Sequence, residues 1–139
     1  MRAPSPSRAF TVLFLALVAS LPSNAHAGWP NDPNVNVPVC IMGGTQAYES
    51  IVSDGAGGAI IAWSDLRGAA FDIYAQRLNA SGGPVWTANG VPVCQFTGGQ
   101  YLNGAIPDGA GGAIVVWEDL RGGTTDIYAQ RIDANGAAL

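Results

Sequence analysis

The 139-residue chain has no lysine, and its single histidine, His26, stands near the start. A surface without clustered positive charge has little to offer a phosphate backbone or an anionic lipid headgroup, so no nucleic-acid partner is expected. Long hydrophobic runs are also missing. The longest, Ala9 to Leu21, covers 13 residues and contains Thr11 and Ser20, whereas a membrane-spanning helix needs about 20 apolar residues.

That run follows Arg2 and Arg8 and precedes Ala25-His-Ala27. A basic start, an apolar middle and an Ala-x-Ala site make up a secretory signal peptide, here residues 1–27 with cleavage after Ala27. The expected destination is the periplasm, the cell surface or the medium. Cleavage leaves 112 residues from Gly28 onward, enough for one small domain. It also leaves Arg67, Arg77, Arg121 and Arg131 against ten acidic residues, a net charge of −6. With His26 removed, no Ser-His-Asp or Cys-His site and no His-ligated metal centre can be built. Neither catalysis nor a cofactor is therefore expected.

What the chain does have is repetition. Asp54-Gly-Ala-Gly-Gly-Ala-Ile-Ile-Ala-Trp-Ser-Asp-Leu-Arg-Gly68 returns as Asp108-Gly-Ala-Gly-Gly-Ala-Ile-Val-Val-Trp-Glu-Asp-Leu-Arg-Gly122, and Asp72-Ile-Tyr-Ala-Gln-Arg77 as Asp126-Ile-Tyr-Ala-Gln-Arg131. The offset is 54 throughout, and 18 of the 24 positions from 54 to 77 are identical in the second copy. A fixed period of this size marks a stack of supersecondary units. Residues 28–36 form an irregular lead-in, 37–90 the first β-repeat and 91–139 the second.

Within each unit the punctuation is that of strands. Val37-Pro-Val-Cys40 and Val91-Pro-Val-Cys94 are matching short segments; an internal proline, which cannot donate to a ladder, suits an edge strand. Tyr48 to Ser53 and Leu102 to Pro107 precede Asp-Gly turns, a hairpin signal. Ala59 to Trp63 and Ala113 to Trp117 are apolar runs of five, expected to be buried on both faces. Asp72 to Leu78 and Asp126 to Ile132 follow polar loops, and Pro84-Val-Trp86 is expected to lead into a further strand. No segment carries a helical period, so the class is all-β.

The order of Ser53-Asp54-Gly55 (Pro107-Asp108-Gly109 in the second copy), an apolar strand ending in Trp63, a polar hairpin and Asp72-Ile73-Tyr74 resembles the blades of TolB-like and WD-repeat-like β-propellers. It is also similar to repeats of secreted bacterial surface proteins. The resemblance covers residues 37–136 and implies two propeller-like blades. Propellers have four to eight blades, and the chain stops at Leu139, before its last strand would come. Two expectations follow: an incomplete propeller whose remainder lies in a longer chain, or several chains closing one ring through open blade edges.

The candidate site residues fall into four sets. Asp54 and Asp108 are candidates for calcium, which collects six to eight oxygens; alternatively each carboxylate bonds amides of its own turn. Asp65, Arg67 and Asp72, with Asp119, Arg121 and Asp126, form the densest charge cluster. They are read as a repeated rim recognising a glycan or protein, or as an Arg67–Asp72 ion pair worth ~0.2–1 kcal/mol. Trp63, Tyr74, Trp117 and Tyr128 are read as blade-to-blade core, or alternatively as an aromatic platform for carbohydrate, with Arg77 and Arg131 laid against them. Cys40 and Cys94 occupy equivalent places in successive units, which sets them beyond the ~7 Å limit for a bridge; free thiols, or pairing with other chains, are expected.

These readings make the chain an exported structural or binding module. The alternatives are the first part of a sialidase-like glycoside-processing enzyme, using paired carboxylates, or a truncated product with no role of its own. Mass spectrometry of the exported protein is expected to find Gly28 at its N-terminus; a chain that still carries residues 1–27 would remove the signal-peptide reading.

Overall fold

The two Asp-Gly-Ala-Gly-Gly segments reverse the chain at residues 54–58 and 108–112. Gly57 and Gly111 sit at φ +85° and +87°, where L side chains are strained. A Cβ at Gly58 or Gly112 would overlap the carbonyl oxygen of Leu78 or Ile132, so each turn works only with glycine next to the third strand of its own unit. The computed structural model describes residues 29–139; the segment read as a signal peptide lies outside them.

Seven strands follow: β1 (Gln46–Ser53), β2 (Ala59–Asp65), β3 (Asp72–Leu78), β4 (Val91–Cys94), β5 (Gln100–Pro107), β6 (Ala113–Asp119) and β7 (Asp126–Ile132). The protein is all-β, with no helix among the described residues. None of them forms a helix long and apolar enough to cross a membrane. The strands make two antiparallel sheets, ordered β1-β2-β3-β4 and β5-β6-β7. Register is conserved between them: Trp63 faces Tyr74 across β2 and β3, and Trp117 faces Tyr128 across β6 and β7. A bulge interrupts the first strand of each sheet, between Ala47 and Ser50 and between Leu102 and Gly104.

The sheets cross the boundaries of the sequence repeat. β4 belongs to the second repeat by sequence but pairs with β3 of the first, Ile73 opposite Cys94 and Ala75 opposite Val91. Val37–Cys40, expected as a matching edge strand, is irregular instead, because no β3-type strand lies beside it among the described residues. Trp86 likewise sits in a turn after the isolated Leu78–Pro84 bridge, not in a strand.

The core fills the space between the sheets. Ile60, Ala62, Ile73 and Ala75 of the first sheet meet Leu102, Ala113, Val115 and Trp117 of the second. Two hydroxyls pin the seam: the Leu102 amide donates to Ser64 Oγ at 2.8 Å and the Ala105 amide to Ser50 Oγ at 3.2 Å. The expectation of two buried faces fits most of β2, but β6 alternates between buried and half-buried residues. Among the described residues the second sheet has a neighbour on one face only. Replacing Trp117 with Ala is expected to cost about 3–5 kcal/mol, as for a buried large aromatic, read as a lower urea midpoint at constant slope. A loss near zero would take Trp117 out of the core.

Candidate functional site

Strand register brings the chemistry to one end of both sheets. Gln46, Asp65 and Asp72 form a row across β1, β2 and β3. Gln100, Asp119 and Asp126 form the same row across β5, β6 and β7.

In the first row Asp65 is fully buried and acts as a hydrogen-bond hub. Its Oδ2 accepts from Trp63 Nε1 at 2.7 Å and from Arg67 Nη2 at 2.6 Å, and its Oδ1 from the Arg67 amide at 2.9 Å. The Arg67 guanidinium lies 3.6 Å from the centroid of the Tyr74 ring, a cation–π contact. The second row repeats this around Asp119, with Trp117 at 2.8 Å, Arg121 at 2.6 Å and the guanidinium 3.8 Å from the Tyr128 centroid. Burial raises the Asp65 pKa, but the bonds from Arg67 and Trp63 outweigh it and hold the carboxyl at about 2. The bond from Arg121, opposed by burial and aided by Trp117, holds Asp119 well below the ordinary carboxylate range.

Several expected pairings turn out otherwise. Arg67 pairs with Asp65, not Asp72, because the two-residue loop step puts guanidinium and carboxylate on the same side of the strand end. Arg77 and Arg131 do not lie on the aromatics; they bond Asp54 at 2.9 Å and Asp108 at 3.0 Å. Those carboxylates also accept amides of their own turns, Ala56 and Gly58 for Asp54, Ala110 and Gly112 for Asp108. Both oxygens of each thus already serve protein donors. No group of three or more His, Cys, Asp or Glu converges as a metal site among the described residues. Trp63, Tyr74 and Trp117 are buried, and Trp63–Tyr74 and Trp117–Tyr128 stack with centroids 6.4 Å apart. Cys40 and Cys94 are free thiols, each within 4.0 Å of the Asp–Arg pair, Asp65–Arg67 for Cys40 and Asp119–Arg121 for Cys94. Burial pushes the Cys94 thiol up.

What remains accessible at this end is different in kind. Asp72 is half-buried, and burial raises its pKa; Asp126 is exposed. Beside them Tyr48, Phe71 and Tyr101 form an aromatic group, with centroids 6.3 Å apart for Tyr48–Phe71, 6.1 Å for Tyr48–Tyr101 and 5.4 Å for Phe71–Tyr101. Tyr48 is 58% exposed and is held at φ 56° within the β1 bulge, a conformation uncommon outside glycine. The triad draws on β1, the loop before β3 and β5, so no local pattern announces it. Its one trace in the sequence is departure from the repeat: the second copy has Leu102 for Tyr48 and Thr125 for Phe71. Gln46 Nε2, Arg67 Nε, Gln100 Oε1 and Arg121 Nε, all at this end, are buried without a protein partner.

No family model, no curated protein and no solved structure matches this chain.

The hubs set a pH dependence. The folded pKa of Asp65, about 2, lies below its ordinary 3.8, so its contribution is complete above pH ~4 and is lost as pH falls towards 2. Acid titration of stability is expected to show this loss, and Asp65→Ala to flatten part of it. Asp65→Ala should also cost about 3–5 kcal/mol at neutral pH by removing one partner of a buried pair. A wild-type acid profile in the variant would refute the hub.

Proposed function

We propose that this chain is an exported module of propeller-like repeats that binds a glycan at the end of its sheets carrying Tyr48, Phe71 and Tyr101. The observation that carries this reading is the triad itself: three aromatic rings gathered from three elements at a solvent-facing position, one on a backbone conformation uncommon for its type. Local strain maintained at an exposed aromatic is a mark of function more than of packing. Aromatic rings offer a flat apolar surface to the C–H face of a sugar, and Asp72 and the Tyr101 hydroxyl stand at this end to receive its hydroxyl groups.

The buried hubs support the reading as scaffolding. Asp65 and Asp119 are spent on internal bonds, so they set the loops in place and leave sugar stacking to the triad, whose residues differ between the copies. The propeller-like reading is supported by four-stranded pairing in the first sheet and by face-to-face packing of consecutive sheets. Export is supported by the charged, apolar and Ala-x-Ala succession of residues 1–27.

Calorimetric titration of the chain with a panel of neutral oligosaccharides is expected to find a binder. Tyr48→Ala and Tyr101→Ala should each weaken it by about tenfold, the order of a lost stacking contact, while Tyr48→Ala leaves the thermal midpoint nearly unchanged. Silence across the panel would overturn the glycan reading, and binding indifferent to both substitutions would overturn the site.

A further inference from the structure

Among the described residues the junction between the two sheets exists once, yet both of its halves occur a second time without a partner there. Its donor half is the segment Trp86 to Cys94. Trp86 packs against Gly136 in the turn after β7, and Cys94 lies against Asp119 and Arg121 at 4.0 and 3.4 Å. Val91–Cys94 meanwhile pairs with β3 of the first sheet. The segment Trp29 to Cys40 is seated on the first sheet in the same way. Trp29 packs against Gly82, and Cys40 lies 3.8 and 3.6 Å from Asp65 and Arg67. Val37-Pro-Val-Cys40 has the same tetrapeptide as β4, and the same order of one half-buried, one exposed and two half-buried residues. It differs only in having no strand beside it among the described residues.

The acceptor half is β7. It has the Asp-Ile-Tyr-Ala-Gln-Arg sequence of β3 without a fourth strand at its outer edge among the described residues. Ile73 under β4 is fully buried, whereas its counterpart Ile127 is 63% exposed. The faces match as well. Ile60 and Ala62 are buried by the second sheet, while their counterparts Ile114 and Val116 line an open apolar groove of about 280 Å³ with Ile106. On the far side of the first sheet, Val39, Ala47 and Ile61 line a groove of about 250 Å³.

We propose that Val37–Cys40 of one copy adds to β7 of a second copy, and that copies join head to tail by rebuilding the internal sheet–sheet junction. The β3–β4 register carries over directly: Cys40 of the first copy opposite Ile127 of the second, Pro38 opposite Tyr128 and Val37 opposite Ala129. Ladder bonds supply the edge pairing, and covering Ile114, Val116 and Ile127 supplies apolar burial. Because the two surfaces differ, the contact is heterologous and runs on into a closed ring or a filament. The proposal stands apart from the glycan reading, since the aromatic triad is not part of either half.

The register provides the test. Paired antiparallel residues have Cα atoms about 4.5–5.5 Å apart, within the span of a disulfide. A chain carrying Cys94→Ser and Ile127→Cys retains only the thiols at positions 40 and 127. Mild oxidation is expected to give disulfide-linked multimers with the bridge mapped between positions 40 and 127 of different copies, lost on adding Cys40→Ser. The unsubstituted chain should sediment as a multiple of its own mass. A monomer in sedimentation with position 127 left unlinked would overturn the proposal, as would a 40–127 bridge within one chain or capture of a different protein at position 127.

Discussion

An antiparallel sheet with an apolar face is stable only when that face is covered, and this requirement governs the whole molecule. The first sheet has the second as its cover, and β2 accordingly buries Ile60 and Ala62 completely. The second sheet carries nearly the same sequence with one neighbour fewer among the described residues, and β6 accordingly alternates between buried and half-buried residues. Near-identical strands thus differ in burial through position alone. The seam is finished by two hydroxyls, Ser64 and Ser50, which accept from the amides of Leu102 and Ala105 on the facing strand.

The hydrogen-bond hubs obey a different rule. Asp65 with Trp63 and Arg67, and Asp119 with Trp117 and Arg121, are built from residues two apart in sequence. They recur with almost the same geometry in the covered and the partly covered sheet. Asp54 with Arg77 and Asp108 with Arg131 likewise recur, because strand register fixes their separation. Each unit therefore brings its own rigid frame, and its neighbours decide only how much of that frame meets solvent. Variation can then collect in Tyr48, Phe71 and Tyr101 without cost to the frame.

Much of this was legible in the sequence. The 54-residue period, the Asp-Gly turns and the third strand at Asp72 to Leu78 all rest on contacts a few residues long, and they stand in the structure at those places. The charge cluster was legible as a cluster, but its pairing was not. Arg67 chooses Asp65 over Asp72 and Arg77 chooses Asp54 over Tyr74, since side-chain direction at a strand end depends on the local turn. The aromatic triad was not legible, because its members are distant in sequence and one sits in a bulge.

The repeat unit is written in its own residues: where the turns fall, where glycine must stand, and which residues are close enough to bond within the repeat. Tertiary structure decided to whom the unit's edges belong. Val91–Cys94 is a strand because β3 lies beside it, and the identical Val37–Cys40 is irregular because no such strand lies beside it among the described residues. A strand's hydrogen bonds are made with a neighbour, so its identity as a strand is settled only when the neighbour is in place.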